Sequence, residues 1–460
     1  MIIKEKRSIK WGILGAILTA ALPLSSSAQE RLSLEECYKT ANAHHKSLHI
    51  ARNDIESARA KEREITANFF PKVSALGVTI HSGDQIQPVD YDKIFGIISP
   101  FIPDVIKNRT LMDVTDISFA GITMVQPIYW GGKIVTGKRM AAEAVALRSA
   151  MMETQQRIIY DTIDDAYWLV VGLSSKRKLA DSFVNLMKQV EHDVELLVKE
   201  GVVAQSDLLM VKTKLAEAEM LLETTSNSLE MSRMVLADRC GLPPDHMVYT
   251  VDEERDSLLT YRPGIPNPHL NMNSTIDRLP EMRSVHSLEK VLQLRKKLTM
   301  ADMLPHLALV GTYGTSSPNL WSRTHGNGWG GTYHIGLALT IPISDIISGT
   351  SRLKQDDYTL QNQKLASDIV RDKLELRIHR DEVVLKHAEQ QLSTAKMRRE
   401  SAQENLRMVT LMYKEGLVPI LHLTAAQTAW VQAGDAFIDA QVVWLTAHSR
   451  YSRDIGIPGI

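Results

Sequence analysis

The sequence predicts a mainly α-helical protein with a small β part that alternates like the wall of a membrane barrel. Three observations lead to this fold class. Two very long stretches carry an apolar seam at helical spacing, the second half of the chain repeats three landmarks of the first at one offset, and each half contains two alternating segments. The predicted protomer is therefore a tandem repeat of long helices in which each half adds one β-hairpin, giving four strands.

Composition and the N-terminus limit the classes of protein that fit. The chain has 460 residues, is 44% hydrophobic and carries a net charge of −1, so electrostatics do not favour a nucleic-acid partner. Residues 1–28 combine a basic start, a short apolar core and small residues before a cleavage site at Ala28. That pattern is typical of a secretory signal peptide, and it predicts that the mature protein leaves the cytoplasm.

The first repeat is predicted over residues 29–243. It opens with a helix, continues as a β-hairpin over 72–126, and ends in two long helices over 133–198 and 205–240. The seam of the first long helix follows alternating steps of four and three residues, as in a coiled coil, and only Arg177 interrupts it. Its members are Ile159, Ile163, Ala166, Val170, Leu173, Ala180, Phe183, Met187, Val190, Val194 and Leu197. A seam this narrow needs partner helices along its whole length.

The second repeat is predicted over residues 281–460. It has a helix, a β-hairpin over 306–341, and long helices over 350–412 and 421–455. A proline-rich segment, 244–280, links the two repeats. Equivalent landmarks lie 215 residues apart, and these are the pairs Pro127 and Pro342, Gly201 and Gly416, and Gly241 and Gly456. Three landmarks at one offset indicate an internal duplication.

The last predicted strand alternates most clearly. Its apolar face is formed by Tyr333, Ile335, Leu337, Leu339 and Ile341, whereas small and polar residues occupy the other face. Such alternation is typical of an outer-membrane strand, with lipid on one side and water on the other. Four strands cannot close a barrel, and lipid tolerates no open sheet edge, so several chains must share one barrel.

The chain resembles the TolC-like outer membrane efflux proteins over nearly its whole mature length. The resemblance is carried by the start Leu-Ser-Leu-Glu-Glu at 32–36, by Gln-Pro-Ile-Tyr-Trp-Gly-Gly at 126–132, and by the duplicated glycine turns at Gly201 and Gly416. It implies a homotrimer with a 12-stranded barrel in outer-membrane lipid and a long periplasmic helical barrel. It also implies an exit duct of an efflux or type I secretion system, which passively conducts substrates supplied by an inner-membrane pump through a periplasmic adaptor protein.

Two other interpretations use the same helices. A periplasmic adaptor can carry a long helical hairpin, but it needs a compact β domain and only one hairpin. A coiled-coil scaffold of an envelope complex explains the helices but leaves the alternating strands unexplained. Both remain alternatives at this point.

The periplasmic tip is the candidate gate. The turns at Gly201 and Gly416 reverse helices about 100 Å long, so they lie at the end distant from the membrane. Relatives often place acidic residues just after these turns. The first repeat has Asp207, but the second has His422 at the equivalent position. Asp207 also has a simpler interpretation, because with Ser206 it begins a helix whose N-terminal dipole favours an acid.

The predicted tip of this protein differs from those of related proteins at a second point. Some relatives lock the closed tip with a tyrosine and an arginine. Tyr413 is present here, but Val418 occupies the position of the arginine. The gating details of relatives therefore do not transfer directly.

Catalytic, cofactor and metal sites find no support in the sequence, which predicts a non-enzymatic protein without cofactors. The acidic pairs Asp164-Asp165 and Asp356-Asp357 are interpreted as solvated faces, because adjacent helical residues point apart. The two cysteines, Cys37 and Cys240, are too few for a disulfide framework, and both are predicted to be buried free thiols.

Overall fold

The computed structural model describes residues 31–81, 116–243, 245–254, 271–317, 319 and 328–456. The signal-peptide prediction, 1–28, lies outside these residues. The described chain begins with a two-residue strand, a short helix and a longer helix, which are β1 (Arg31–Leu32), α1 (Leu34–His44) and α2 (Lys46–Ala67). Strand β1 pairs in parallel with β4 (Tyr249–Thr250), which ties the start of the chain to the segment between the repeats.

Helix α1 begins where local chemistry requires it. The Ser33 hydroxyl accepts a hydrogen bond from the Glu36 backbone N–H at 3.3 Å, and the Ser33 backbone N–H donates to Glu36 Oε2 at 2.7 Å. This reciprocal capping box satisfies two backbone donors that the helix cannot satisfy itself.

Each repeat then contributes a hairpin and two long helices. In the first repeat they are β2 (Lys72–His81), β3 (Asp116–Trp130), α3 (Lys133–Lys199) and α4 (Gln205–Arg239). Between the repeats lie β4, a short 3-10 helix (Val251–Glu254) and α5 (Met272–Arg278). The second repeat consists of α6 (Pro280–Ala301), β5 (His306–Ser317), β6 (Gly330–Thr340), α7 (Ile343–Lys414) and α8 (Ile420–Asp454). Helices α3 and α7 have 67 and 72 residues, so each is about 100 Å long.

Helix α7 begins seven residues before its predicted start at residue 350. It starts immediately after Pro342, although Gly349 lies within its first turns. A side chain at Gly349 would lie 2.6 Å from the sulfur of Met303. The glycine therefore allows α7 to approach the end of α6 closely, and this contact offsets the weak helix propensity of glycine.

The four long strands form one antiparallel sheet in the order β2-β3-β5-β6. Strand β3 continues through Pro127 to Trp130, whereas the sequence pattern ends it at the proline. Beyond Val125 strand β3 has only β5 as a partner, because β2 begins opposite that residue, and the register shifts between Pro127 and Tyr129. A proline is tolerated there because it lies at a sheet edge beside an irregularity.

The helices pack around three apolar clusters rather than one central core. Helix α3 contacts α2 and α4 of its own repeat and also α6 and α8 of the second repeat, while α7 contacts α6 and α8. Cys37 of α1 and Cys240, which follows α4, lie fully buried in the first cluster beside Tyr167 and Leu236. Both thiols are free. None of the described helices is long and apolar enough to cross a membrane.

Candidate functional site

The sheet exposes a broad apolar face. The five residues of the alternating row, from Tyr333 to Ile341, are between 54% and 74% exposed in the single chain. Directly opposite residues in antiparallel strands share a face. The register therefore extends this row to Tyr313 and Leu309 on β5 and to Ile122 and Met124 on β3. A contiguous apolar surface of this size marks a site of interaction with lipid or protein.

Strand β2 presents its apolar row to the other side. Leu76, Val78 and Ile80 pair with residues of β3 that share a face with Phe119. That face continues to the small and polar residues of β6, because Gly121 pairs with Gly314 and Gly314 with Thr332. The aromatic ring of Phe119 lies near both of these glycines. The alternation of each strand could be seen in the sequence, but only the register shows that the two rows face opposite sides.

The two turns at the far end of the helices have the same geometry. Gly201 has φ of 76° and Gly416 has φ of 70°. In the first turn the Val202 N–H donates to the Leu197 carbonyl at 2.9 Å, and in the second the Leu417 N–H donates to the Met412 carbonyl at 2.9 Å. These are the hydrogen bonds of helix ends closed by a left-handed glycine.

The predicted tip residues are only partly brought together within one chain. Helix α4 begins at Gln205 with Ala204 as its N-cap residue, so neither Ser206 nor Asp207 caps it with a side chain. Asp207 lies in the first turn, where its charge still suits the helix dipole. Burial first, and then the negative charge of Asp207, raise the pKa of Tyr413. The buried hydroxyl of Tyr413 has no hydrogen-bond partner among the residues that the structure describes.

His422 lies apart from this pair. It is exposed in the first turn of α8, the equivalent position in the second repeat. In the part of the chain that the structure describes, no hydrogen bond or ion pair links it to Asp207. Any Asp207–His422 contact must therefore join two chains.

A buried charged node joins the two repeats, and the sequence interpretation missed it. Asp454 accepts a hydrogen bond from Arg157 at 2.9 Å and forms an ion pair with Arg377 at 3.0 Å. Glu281 lies 3.5 Å from Arg157 and accepts a hydrogen bond from Arg377 at 3.1 Å. The four side chains form a closed ring that connects α3, α6, α7 and α8. Burial is the main cause that raises the pKa of Asp454 to about 6.

A second charged group lies beside this ring. Arg453 contacts Asp161 and donates to Asp164 at 2.6 Å, and Asp164 also accepts from the hydroxyl of Tyr38. Asp164 is fully buried, and burial raises its pKa to about 6 despite the arginine. The prediction that this acidic pair forms a solvated face is therefore wrong for Asp164, although its neighbour Asp165 is exposed and pairs with Arg450.

The second acidic pair divides in the same way. Asp356 is buried and accepts from the Thr299 hydroxyl at 2.5 Å, whereas Asp357 points outward to Lys296. Adjacent residues do face apart, as expected, but one of each pair faces a neighbouring helix. Among the described residues, no group of three or more His, Cys, Asp or Glu side chains is placed to hold a metal ion.

Comparison with known proteins gives a family match for the second half of the chain. Residues 272–451, which cover most of the second repeat, match the family model described as outer membrane efflux protein. This part of the chain is therefore similar to the outer membrane efflux proteins. A comparison with curated proteins finds no significant match.

Solved structures with the same fold are similar to nearly the whole chain. The outer-membrane channel OprN is similar over 92% of this chain and 89% of its own, with 17% identity and a TM-score of 0.73. The CmeC outer membrane channel of Campylobacter jejuni is similar over 98% and 95%, with 14% identity and a TM-score of 0.73. The open-state MtrE outer membrane channel of Neisseria gonorrhoeae is similar over 92% and 88%, with 16% identity and a TM-score of 0.74.

These comparisons confirm two predictions made from the sequence. The family matched by residues 272–451 is the one that the sequence motifs indicated, and the fold is mainly helical with four antiparallel strands. The family is one of the outer membrane, which agrees with the predicted location.

Proposed function

We propose that this protein is the outer-membrane exit duct of an efflux or secretion system, through which substrates pass from the periplasm to the outside. One observation carries the proposal: a sheet with an exposed apolar face and open edges is set on helices about 100 Å long. Such a chain can supply one sector of a tube that crosses both the outer membrane and much of the periplasm. Its partners are then a periplasmic adaptor protein and an inner-membrane pump.

The internal repeat supports a closed homotrimer. Within one chain the second strand of the first hairpin, β3, pairs with the first strand of the second hairpin, β5. The equivalent pair is β6 with β2, and in a single chain these strands are the two edges of the sheet. Pairing β6 of one copy with β2 of the next repeats the same contact around a ring. Three copies give the twelve strands that the family resemblance implies, and no edge remains open to lipid.

Fractionation tests the location and the assembly together. We expect the protein in the outer membrane, as a trimer in mild detergent that migrates differently on a gel before and after heating. A soluble periplasmic product, or a stable folded monomer in detergent, would contradict the proposal. The first result would favour an adaptor or a scaffold instead.

The tip is proposed to gate the duct. In a trimer, six helical turns meet at the far end of the tube, and the first turns of α4 and α8 follow them directly. Asp207 and His422 would then lie near the axis in three copies each. Histidine side chains in general titrate near physiological pH, and they hold their proton more firmly beside a carboxylate. A ring of such pairs would close the pore when protonated and loosen it at higher pH.

Single-channel conductance in planar bilayers tests this gate. We expect Asp207→Ala and His422→Ala each to raise conductance at pH 5 and to flatten its rise between pH 5 and pH 8. If both variants conduct as the wild type does across that range, Asp207 serves only the dipole of its helix and the gate lies elsewhere.

A further inference from the structure

The two repeats correspond residue by residue along their helices. Helices α2 and α6 both have 22 residues at an offset of 234, and α4 and α8 both have 35 residues at an offset of 215. Helices α3 and α7 end at Lys199 and Lys414, which are also 215 residues apart. The helices of the two repeats therefore align without a gap. For each helix contact between the repeats, the same offsets give an equivalent pair of positions in the other repeat.

The contact between repeats has a simple composition. The long helix of the first repeat, α3, packs against the first and last helices of the second repeat, α6 and α8. The equivalent contact places the long helix of the second repeat, α7, against α2 and α4. In a closed ring, these α2 and α4 helices belong to the next copy of the chain.

The contact between the repeats contains a charged pair, and the two equivalent positions carry the opposite charges. Arg157 on α3 pairs with Asp454 on α8 at 2.9 Å. The equivalent positions are Asp372 on α7 and Arg239 on α4, and both are exposed in the single chain. The acid closest to Arg239 is its neighbour Asp238, at 3.9 Å. Charge complementarity is thus kept between two positions that do not contact one another within the chain.

The apolar part of the contact is also present. A cavity of about 510 Å³ between α3, α6 and α7 has a mixed apolar and polar lining, and three of its polar side chains are those of Thr154, Ser284 and Lys373. Their equivalents are isoleucines: Ile369 on α7, Ile50 on α2 and Ile158 on α3. Each of the three is more than half exposed in the single chain, at 53%, 63% and 52%. Water-exposed isoleucines at three equivalent positions fit burial in an interface.

A groove shows where α4 would lie. It has a volume of about 650 Å³ and runs between α7 and α8 beside His387. The equivalent of His387 in the first repeat is Gly172, where an added side chain would meet Val442 and Ile438 of α8. The equivalent groove of the first repeat, beside Gly172 on α3, is therefore filled by α8 of the same chain. By equivalence, α4 of the next copy fills the groove of the second repeat, and Asn227, the equivalent of Val442, lies beside His387.

We propose that α7 of each copy packs against α2 and α4 of the next copy, where Asp372 pairs with Arg239 and Ile369 packs against Ile50 and Ile158. The partner is a second copy of this chain. This inference rests on the homotrimer of the proposed function, and it adds the helices and residues that hold the copies together. A helical hairpin of another protein in the same groove is the competing occupant.

Charge exchange tests the ionic pair. Arg239→Asp and Asp372→Arg should each lower the temperature at which the trimer dissociates on a gel, because each creates a like-charge contact. The double variant should recover most of that temperature, because it restores opposite charges. Glu217→Arg is the control, since this exposed α4 residue pairs with Lys214 on its own helix, and it should leave the temperature unchanged. A double variant no more stable than the weaker single variant overturns the pairing.

Cross-linking tests the apolar contact directly. In the folded protein the native cysteines are fully buried. Ile50→Cys combined with Ile369→Cys should therefore give linked dimers and trimers with a short bismaleimide, and either substitution alone should give none. Ile50→Cys with Met397→Cys is the control, because Met397 lies 28 residues from Ile369, or about 40 Å along α7.

The outcomes separate this inference from the proposed function. If the wild type is a trimer but the Ile50→Cys, Ile369→Cys variant gives no linked copies, the proposed interface is wrong and the proposed duct still holds. The groove would then be available to another protein. A wild-type monomer overturns both.

Discussion

Gly241 provides the most direct test of how the first repeat is held to the N-terminal helix. It has φ of 78°, and a Cβ atom there would lie 2.7 Å from the backbone nitrogen of His45 and 2.8 Å from the carbonyl carbon of His44. Gly201 has nearly the same φ, 76°, but no atom of the described chain lies within 4 Å of an added Cβ. Substitution of Gly201 therefore tests backbone strain alone, whereas substitution of Gly241 tests backbone strain and steric contact together.

The expected magnitudes differ accordingly. Placing alanine in the left-handed region costs about 1–2 kcal/mol at either position. At Gly241 the methyl group also meets main-chain atoms at the end of α1, which cannot rotate away, and overpacking of this kind adds about 1–3 kcal/mol. Gly201→Ala should therefore cost about 1–2 kcal/mol, and Gly241→Ala about 2–5 kcal/mol.

The neighbouring cysteine serves as the probe. Cys240 precedes the glycine and is fully buried against α1, so it reacts with maleimide only when this contact opens. A cost of 2 kcal/mol at the contact raises the open population about 30-fold, since 1.4 kcal/mol is a factor of ten. Labelling in Gly241→Ala should be at least that much faster than in the wild type, while Gly201→Ala labels at the wild-type rate. Equal rates in all three proteins would refute the steric argument.

Three further predictions concern the membrane face and the buried charges. Leu337→Arg should cost about 2–4 kcal/mol at the midplane and reduce assembly, whereas Ala338→Arg should mainly change conductance; equal losses of trimer would show that the faces are assigned wrongly. Asp454 has a folded-state pKa of about 6, raised from 3.8, so the folded protein binds the extra proton, and stability from this group falls as pH rises from about 4 to about 6. Asp454→Asn should flatten that fall in thermal midpoints measured at pH 4.5 and 7.5, and an unchanged slope would exclude Asp454 as its source. Arg453→Met leaves the fully buried Asp164 without its cation and should cost about 3–5 kcal/mol in circular-dichroism unfolding; a variant that matches the wild type would mean that the pair is not needed for stability.

The sequence was informative wherever structure depends on spacing along one chain. Helical seams, strand alternation and the 215-residue repeat all come from local periodicity, and these features led to the family and to the fold class. The capping box at Ser33 and the left-handed turn at Gly201 follow from local chemistry in the same way. Each of these signals needs only neighbouring residues.

Features that depend on which segments meet could not be predicted. The opposed faces of β2 and β6 follow from pairing with β3 and β5, and a shift of one residue would reverse them. The burial of Asp164 depends on Arg453, which lies 289 residues away. The tip residues Asp207 and His422 remain predictions, because their proposed contact needs a second chain.

The equal lengths of α4 and α8 have a consequence for how such a protein can change. Inserting one residue into α4 would turn every later side chain in that helix by about 100° and remove it from its seam. Insertions are therefore tolerated only in the loops, and the hairpin of the first repeat is indeed 19 residues longer than that of the second between equivalent prolines. A longer or shorter tube would require the same whole number of heptads to be added to or removed from α3, α4, α7 and α8 together. The reach of the duct across the periplasm is thus a property that can change only in discrete steps.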